Sequence, residues 1–369
     1  MKVRVAIYFL ILGTLSAICG CALRAESGRT NTNENSASSL PSPAPGEAST
    51  STSTDLPTST TGASAPPSLT PRKRLAHSVI SDPASTLYFT NQRSGWVLLG
   101  DALYGTNDGG ETWVRLNQRP LRSYNKIIFV TELKGYALQD DWNTEKRSST
   151  ILSTSNGGRA WRKILELPTP VSTINFVKDQ VGYVVGRWYP IHRTADGGKT
   201  WRAMGGVEGL NYLYFTSEKE GWGYGGAIWR TEDGGETWSQ VVPYEQVADL
   251  WDAKFIDRAS GWMIGGRQQL WVTSDGRTWR QVVNLPVSQK RLVALDFVND
   301  EGWIASEDGL IIHTRDRGAT WQVIATLEKQ LSAIKFNDEL KGWAVGKRGE
   351  FFRTKDGGAN WEIVSLKAE

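Results

Sequence analysis

The sequence predicts an all-β fold, a seven-bladed β-propeller of four-stranded antiparallel blades, and three observations predict it. First, one phrase recurs seven times: threonine, any residue, aspartate, one or two glycines, then tryptophan. It opens at Thr106, Thr154, Thr194, Thr231, Thr273, Thr314 and Thr354. It closes at Trp113, Trp161, Trp201, Trp238, Trp279, Trp321 and Trp361, with gaps of 48, 40, 37, 41, 42 and 40 residues. A period near forty with strand-like contents is the signature of stacked supersecondary units. Second, a glycine followed by an aromatic runs in phase with the phrase, at Gly95-Trp96, Gly135-Tyr136, Gly182-Tyr183, Gly221-Trp222, Gly261-Trp262, Gly302-Trp303 and Gly342-Trp343. The two markers take twelve of the seventeen tryptophans, so most tryptophan here is scaffold. Third, each period divides into four short strands. In the sixth, Leu292–Val298, 302–306, Leu310–Thr314 and 320–325 read as strands, separated by the turn residues 299–301, 307–309 and 316–318. Seven such units fall within the usual range of propeller blade counts, and a closed ring leaves no long exposed sheet edge.

Three segments follow in order. Residues 1–21 carry Lys2 and Arg4, an apolar run over 5–18, then Gly20-Cys21. That run is too short to span a bilayer comfortably and matches a signal-peptide core. Ile18-Cys19-Gly20-Cys21 resembles a bacterial lipobox, with Cys21 as the lipidated residue, so export and lipid anchoring in the bacterial cell envelope are expected. Residues 22–75 form a Ser/Thr/Pro-rich tether: serine, threonine and proline fill 23 of the 35 positions 36–70, too little apolar surface to offset ordering entropy. Residues 76–369 hold the repeats, from a first blade starting near Val79 to a last one ending near Leu366, and 75–80 is a candidate for an outer strand that closes the ring.

The repeated phrase belongs on the turn between third and fourth strands. There a carboxylate accepts backbone N–H groups, glycines supply positive φ, and the tryptophan packs between sheets. Asp108, Asp196, Asp233, Asp275, Asp316 and Asp356 are therefore read as structural. So is Asn156, which stands where the second phrase has no aspartate. The fifth phrase is one residue shorter around Gly276, and Arg317 replaces the first glycine of the sixth. A catalytic carboxylate has no reason to be copied around a ring.

Composition removes several chemistries. Both cysteines, Cys19 and Cys21, lie in the export segment, which leaves the repeats without a thiolate ligand, disulfide or cysteine nucleophile. A formal charge of +3, from 42 basic and 39 acidic side chains, gives no basis for nucleic-acid binding. His77, His192 and His313 lack metal-ligand spacing, and no metal or cofactor is expected.

Partner recognition is expected on the face opposite the repeated turns, where strands two and three join and one blade passes to the next. The second blade has an excess loop over 139–149 containing Asp140, Asp141, Trp142, Lys146 and Arg147, and the third places Arg187, Trp188 and Tyr189 at the equivalent turn. Aromatics beside arginines are enriched in interface hot spots. Arg267, Lys347 and Arg348 hold the same turn in blades five and seven and extend a basic arc.

The phrase is the Asp-box, or bacterial neuraminidase repeat, over about 290 residues. The combination in GWAVGKRGEFFRTKDGGANW, Gly342 to Trp361, most resembles the photosystem II stability and assembly factor family. That resemblance implies a non-catalytic, often lipid-anchored propeller that holds a protein or membrane-protein client. A monomer is expected, in the periplasm or on the outer surface, or on the thylakoid lumen side in a photosynthetic organism. The alternative is a carbohydrate-binding or glycoside-hydrolase-like Asp-box propeller of the sialidase or xyloglucanase type. Sialidases carry an Arg-Ile-Pro segment ahead of the boxes, and this chain has none.

Overall fold

The computed structural model describes residues 86–117, 124–141, 148–186, 190–287 and 290–366, all within the compact unit Leu69–Glu369. They form seven four-stranded antiparallel sheets, each built from consecutive strands: 87–115, 124–167, 173–203, 210–242, 250–282, 292–326 and 331–363. In the sixth blade the strands run Leu292–Val298, Glu301–Ser306, Leu310–Thr314 and Gln322–Thr326, within two residues of expectation. Blade one begins its strands at Leu87. The segment 75–80 and the export and tether segments lie outside the described residues.

Each sheet is organised by one row of three residues across its first three strands. A phenylalanine at the end of strand one, or one residue before it in blade six, pairs with the marker glycine of strand two, which pairs in turn with the box threonine of strand three: Phe255, Gly261 and Thr273 in blade five, for example. The row recurs in all seven blades, with Phe89, Phe129, Phe176, Phe215, Phe255, Phe297 and Phe336 at its inner end. Its glycine is obligatory, because a methyl group at Gly261 would sit inside the ring of Phe255. The phenylalanine lies over its cross-strand glycine, covers backbone that would otherwise meet solvent, and presents its ring to the next element.

That next element is the aromatic of the glycine-aromatic pair in the preceding blade. Trp96, Tyr136, Tyr183, Trp222, Trp262 and Trp303 stack on the phenylalanine of the following blade at 3.6–4.1 Å between ring centroids. Each also donates its Nε1–H or Oη–H to a backbone carbonyl at the first box-glycine position of that blade, at 2.8–3.2 Å. Trp343 on Phe89 closes the ring. The box tryptophans sit edge-on to the phenylalanine of their own blade at 5.8–6.2 Å. The sandwiched ring between blades is thus mainly that of the second marker.

Within the box, the buried threonine is the hub. Its hydroxyl donates to the Oδ1 of the aspartate, or of Asn156, at 2.7–3.1 Å and accepts the N–H of a box glycine at 2.8–3.0 Å. The preceding glycine N–H normally ties the box to the turn between strands one and two, as Gly234 does to Lys219 O. In the shortened fifth box, Gly276 does both, donating to Thr273 Oγ1 and to Ala259 O. Arg317 adopts the left-handed conformation (φ 58°) that its position demands, tied to Asp300 through Nε at 2.6 Å.

The carboxylates are held charged. In Asp233 the Thr237 hydroxyl, at 2.6 Å, and then the Thr237 N–H, at 2.9 Å, lower the pKa from 3.8 to about 2. Thr320 does the same for Asp316. Because the folded value lies below the unfolded one, this stabilisation is present above pH 3.8 and is lost as pH falls toward 2. Asn156 shows that an amide preserves the geometry, accepting from Thr154 Oγ1 and Ala160 N at 2.9 Å each. Asp233→Asn is therefore expected to fold and to flatten the dependence of unfolding free energy on pH between 4 and 2, measured by urea titration. An unchanged slope would show that the box carboxylates contribute nothing to acid stability.

Candidate functional site

The repeat leaves irregular residues in two places: around the ring axis, where first strands face one another, and on the loop face opposite the boxes. Near the axis, Lys254, Asp296 and Lys335 occupy the position before the phenylalanine in blades five, six and seven. Asp296 accepts from both ammonium groups at 3.1 and 3.2 Å and from Phe336 N at 2.8 Å. Across the ring Lys126 donates to Ser172 O at 2.8 Å and lies over Tyr212, 5.3 Å from the ring centroid. Burial pulls its pKa down, and Asp252 and Asp140 oppose that shift. These charges are mutually satisfied and read as a structural network.

On the loop face the second blade departs from expectation. Its middle strands extend as Gly135–Asp141 and Ser148–Thr154, so the two ends of the segment read as a loop, 139–141 and 148–149, are strand. Asp140 and Ser149 are buried. Asp140 accepts from Asn125 Nδ2 at 2.6 Å and from the Ser149 hydroxyl at 2.5 Å, and Ser149 Oγ accepts Val171 N–H at 2.9 Å. The physical reason is an internal hydrogen-bond network that makes polar strand residues affordable in the interior. Trp142, Lys146, Arg147, Arg187, Trp188, Tyr189 and the lipidation candidate Cys21 lie outside the described residues.

Arg267, Lys347 and Arg348 are exposed at their turns, but they do not make a continuous basic arc. The turn of the intervening sixth blade carries Glu307 and Asp308, and Glu307 forms an ion pair with Lys347. That pairing with Lys347, opposed by burial, lowers the Glu307 pKa, with Arg291 and Lys290 adding to it. The histidines stay apart. His313 is buried against Trp303 and bonded to Glu301 at 2.9 Å, while His192 Nδ1 lies 3.1 Å from Pro190 O. Among the described residues, no group of three His, Cys, Asp or Glu could hold a metal ion.

Two adjacent blades and their connections converge on one concavity that the sequence did not announce. A cleft of about 770 Å³ is lined by residues of blades four and five and of the connections that leave them, including Tyr244, Glu245, Asp249, Trp251, Arg267 and Arg291. The connection out of blade four makes a single 3₁₀ turn, Tyr244–Gln246, which carries the tyrosine across Gly209 and Gly226, where a Cβ would collide with its ring. Trp251 donates Nε1–H to Leu292 O at 3.1 Å, and the Arg291 guanidinium lies over its ring at 4.2 Å.

Comparison with known proteins agrees with this architecture. The family model described as photosynthesis system II assembly factor YCF48 matches residues 240–333. Photosystem II assembly lipoprotein Ycf48 of Synechococcus sp. (strain CC9902) is 33% identical over 85 residues, 22% of this chain and 26% of the relative, so the chain spans about a quarter of that relative's length. The solved structure of YCF48 bound to D1 peptide is 21% identical with a TM-score of 0.57, covering 74% of this chain and 93% of that one. YCF48 from Cyanidioschyzon merolae is 17% identical with a TM-score of 0.56, covering 74% and 95%. The structures share the fold, and the family-model match falls on its repeats: this chain is an Asp-box (BNR) β-propeller resembling the photosystem II assembly factors.

Proposed function

We propose that the chain is a non-catalytic propeller, exported and held to a membrane by a lipid on Cys21 through the 22–75 tether, that binds a protein or membrane-protein client on its loop face. One observation carries the reading. The acids, threonines and most indoles of the repeat are consumed by turns and blade contacts, so recognition is assigned to residues that break the repeat. A D1 peptide in a similar propeller and the name lipoprotein on a relative support a polypeptide client and an anchor. Trp142, Lys146, Arg147, Arg187, Trp188 and Tyr189 are the proposed contacts, with Arg267, Lys347 and Arg348 on the same rim and Lys347 shared with Glu307.

The test is capture from solubilised native membranes by the full chain. Trp142→Ala combined with Trp188→Ala is expected to lose the client while leaving Tm unchanged. Retained capture, or a large fall in Tm showing those rings to be core, would overturn the assignment.

A further inference from the structure

The loop-face cleft of blades four and five and of their connections shares Arg267 with the proposed client rim, and its other features go unused by the client reading. Four charged side chains line it, Glu245, Asp249, Arg267 and Arg291, and none forms an ion pair among the described residues. Elsewhere on the protein's surface opposite charges find each other readily, as in Lys178 with Glu218 and Arg317 with Asp300 on the box face and Lys347 with Glu307 on the loop face. Backbone strain gathers at the same place. Of six described non-glycine residues with positive φ, three are Asp249 (30°), Arg267 (55°) and Gln268 (59°), at or beside the cleft. Such conformations persist only where surrounding structure imposes them, and they cluster at binding sites.

We propose that this cleft is a saccharide-binding site. Its charges come in both signs, so a simple anion would satisfy the arginines and be repelled by Glu245 and Asp249, and a simple cation the reverse. Hydroxyl groups donate to carboxylates and accept from guanidinium groups, so one polyhydroxylated ligand answers all four. Tyr244 supplies the apolar platform. Its inner face rests on Gly209 and Gly226 while the side chain stays 37% exposed, leaving a ring on which the C–H face of a pyranose can lie. An extended peptide is disfavoured, because main-chain donors around the cleft are already used: Gly226 N to Gly209 O, Gly266 N to Ala248 O and Asp249 O, and Ala248 N to Gln269 Oε1. A strand added there would find no row of free N–H groups to pair with. The cleft volume falls in the roughly 300–1,000 Å³ range of small-ligand sites, room for a short oligosaccharide.

Saturation-transfer NMR and calorimetric titration of the full chain with chitohexaose and with oligogalacturonate test the proposal, one probe neutral and one acidic. Binding of either at millimolar or tighter affinity is expected, weakened about tenfold or more by Tyr244→Ala and by Glu245→Gln combined with Asp249→Asn. Both variants are on the surface and should leave Tm unchanged. Failure of both probes at millimolar concentration, equal binding by the variants, or occupancy by a charged peptide with neither saccharide bound would each overturn it. None of these results bears on client capture through Trp142 and Trp188, which is measured separately.

Discussion

Phe255→Ala is expected to lower the unfolding free energy by about 3–5 kcal/mol, the usual cost of deleting a buried large aromatic. The ring is 1% exposed and has neighbours on every side. It stacks on Trp222 of the preceding blade at 4.1 Å, meets Trp279 of its own blade edge-on at 5.8 Å, approaches Tyr214 at 4.9 Å and lies on Gly261. Removing it leaves a void that glycine cannot fill and uncovers strand backbone beneath, so the site has little means of collapsing. Val283→Ala serves as the contrast: at 71% exposure just beyond the outer strand of the same blade, it should change stability by no more than about 0.5 kcal/mol. Urea unfolding of the isolated 69–369 unit measures both. A loss below about 1 kcal/mol for Phe255→Ala would mean that the stacked rings are not what holds blades together.

The blades were legible because their signal is local and repeated. Strand limits in the sixth blade follow from alternation ended by turn residues, and Asn299, placed in the turn, indeed takes positive φ (55°). The inner end of the organising row was equally visible and was missed. Seven of the ten phenylalanines stand five or six residues before a marker glycine, a third marker in step with the other two. Its meaning, a ring lying on glycine, appears only when strands are paired. The second blade misled for a different reason. Extra length there was read as a loop, whereas Asp140 and Ser149 are strand residues made tolerable in the interior by Asn125 and the backbone of Val171, partners 15 and 22 residues away. The cleft left no periodic trace, because only Arg267 stands at a turn that recurs between repeats, while Tyr244 and Arg291 sit on the connections that enter and leave blade five and Trp251 on its first strand. The pairing of Lys347 with Glu307, forty residues apart, is readable once adjacent repeats are aligned turn against turn.

Trp343→Ala is expected to cost about 3–5 kcal/mol as well, but to act at one place, the contact that joins the last blade to the first. Among the described residues no strand crosses there: blade one uses 87–115 and blade seven 331–363. The stack is also the loosest of the seven, at 4.6 Å and 29° from parallel, and Trp343 Nε1 is buried without a hydrogen-bond partner among the described residues. Around the stack, Trp113 meets Phe351 edge-on at 5.3 Å within an apolar cluster shared by the two blades, and polar groups span the rest: Asn337 Nδ2 donates to Gln92 O at 2.8 Å, and Glu111 is ringed by Arg353, Lys355 and Lys341 at 3.0, 3.4 and 3.6 Å. The ion pairs around Glu111 contribute at most about 1 kcal/mol each and weaken with salt, so the apolar contacts, with the Trp343 indole at their centre, carry most of the closure. A comparison of phenylalanine replacements separates ring from donor. Trp303→Phe strands the carbonyl of Gly357, which Trp303 holds at 2.8 Å, and should cost about 1–3 kcal/mol more than Trp343→Phe, which has no such bond to lose. In Trp343→Ala, hydrogen exchange should accelerate first in Leu87–Phe89 and Gly342–Gly346, because a repeat freed from one neighbour keeps only the other. Protection lost evenly around all seven blades would show instead that the ring opens as a unit and has no preferred joint.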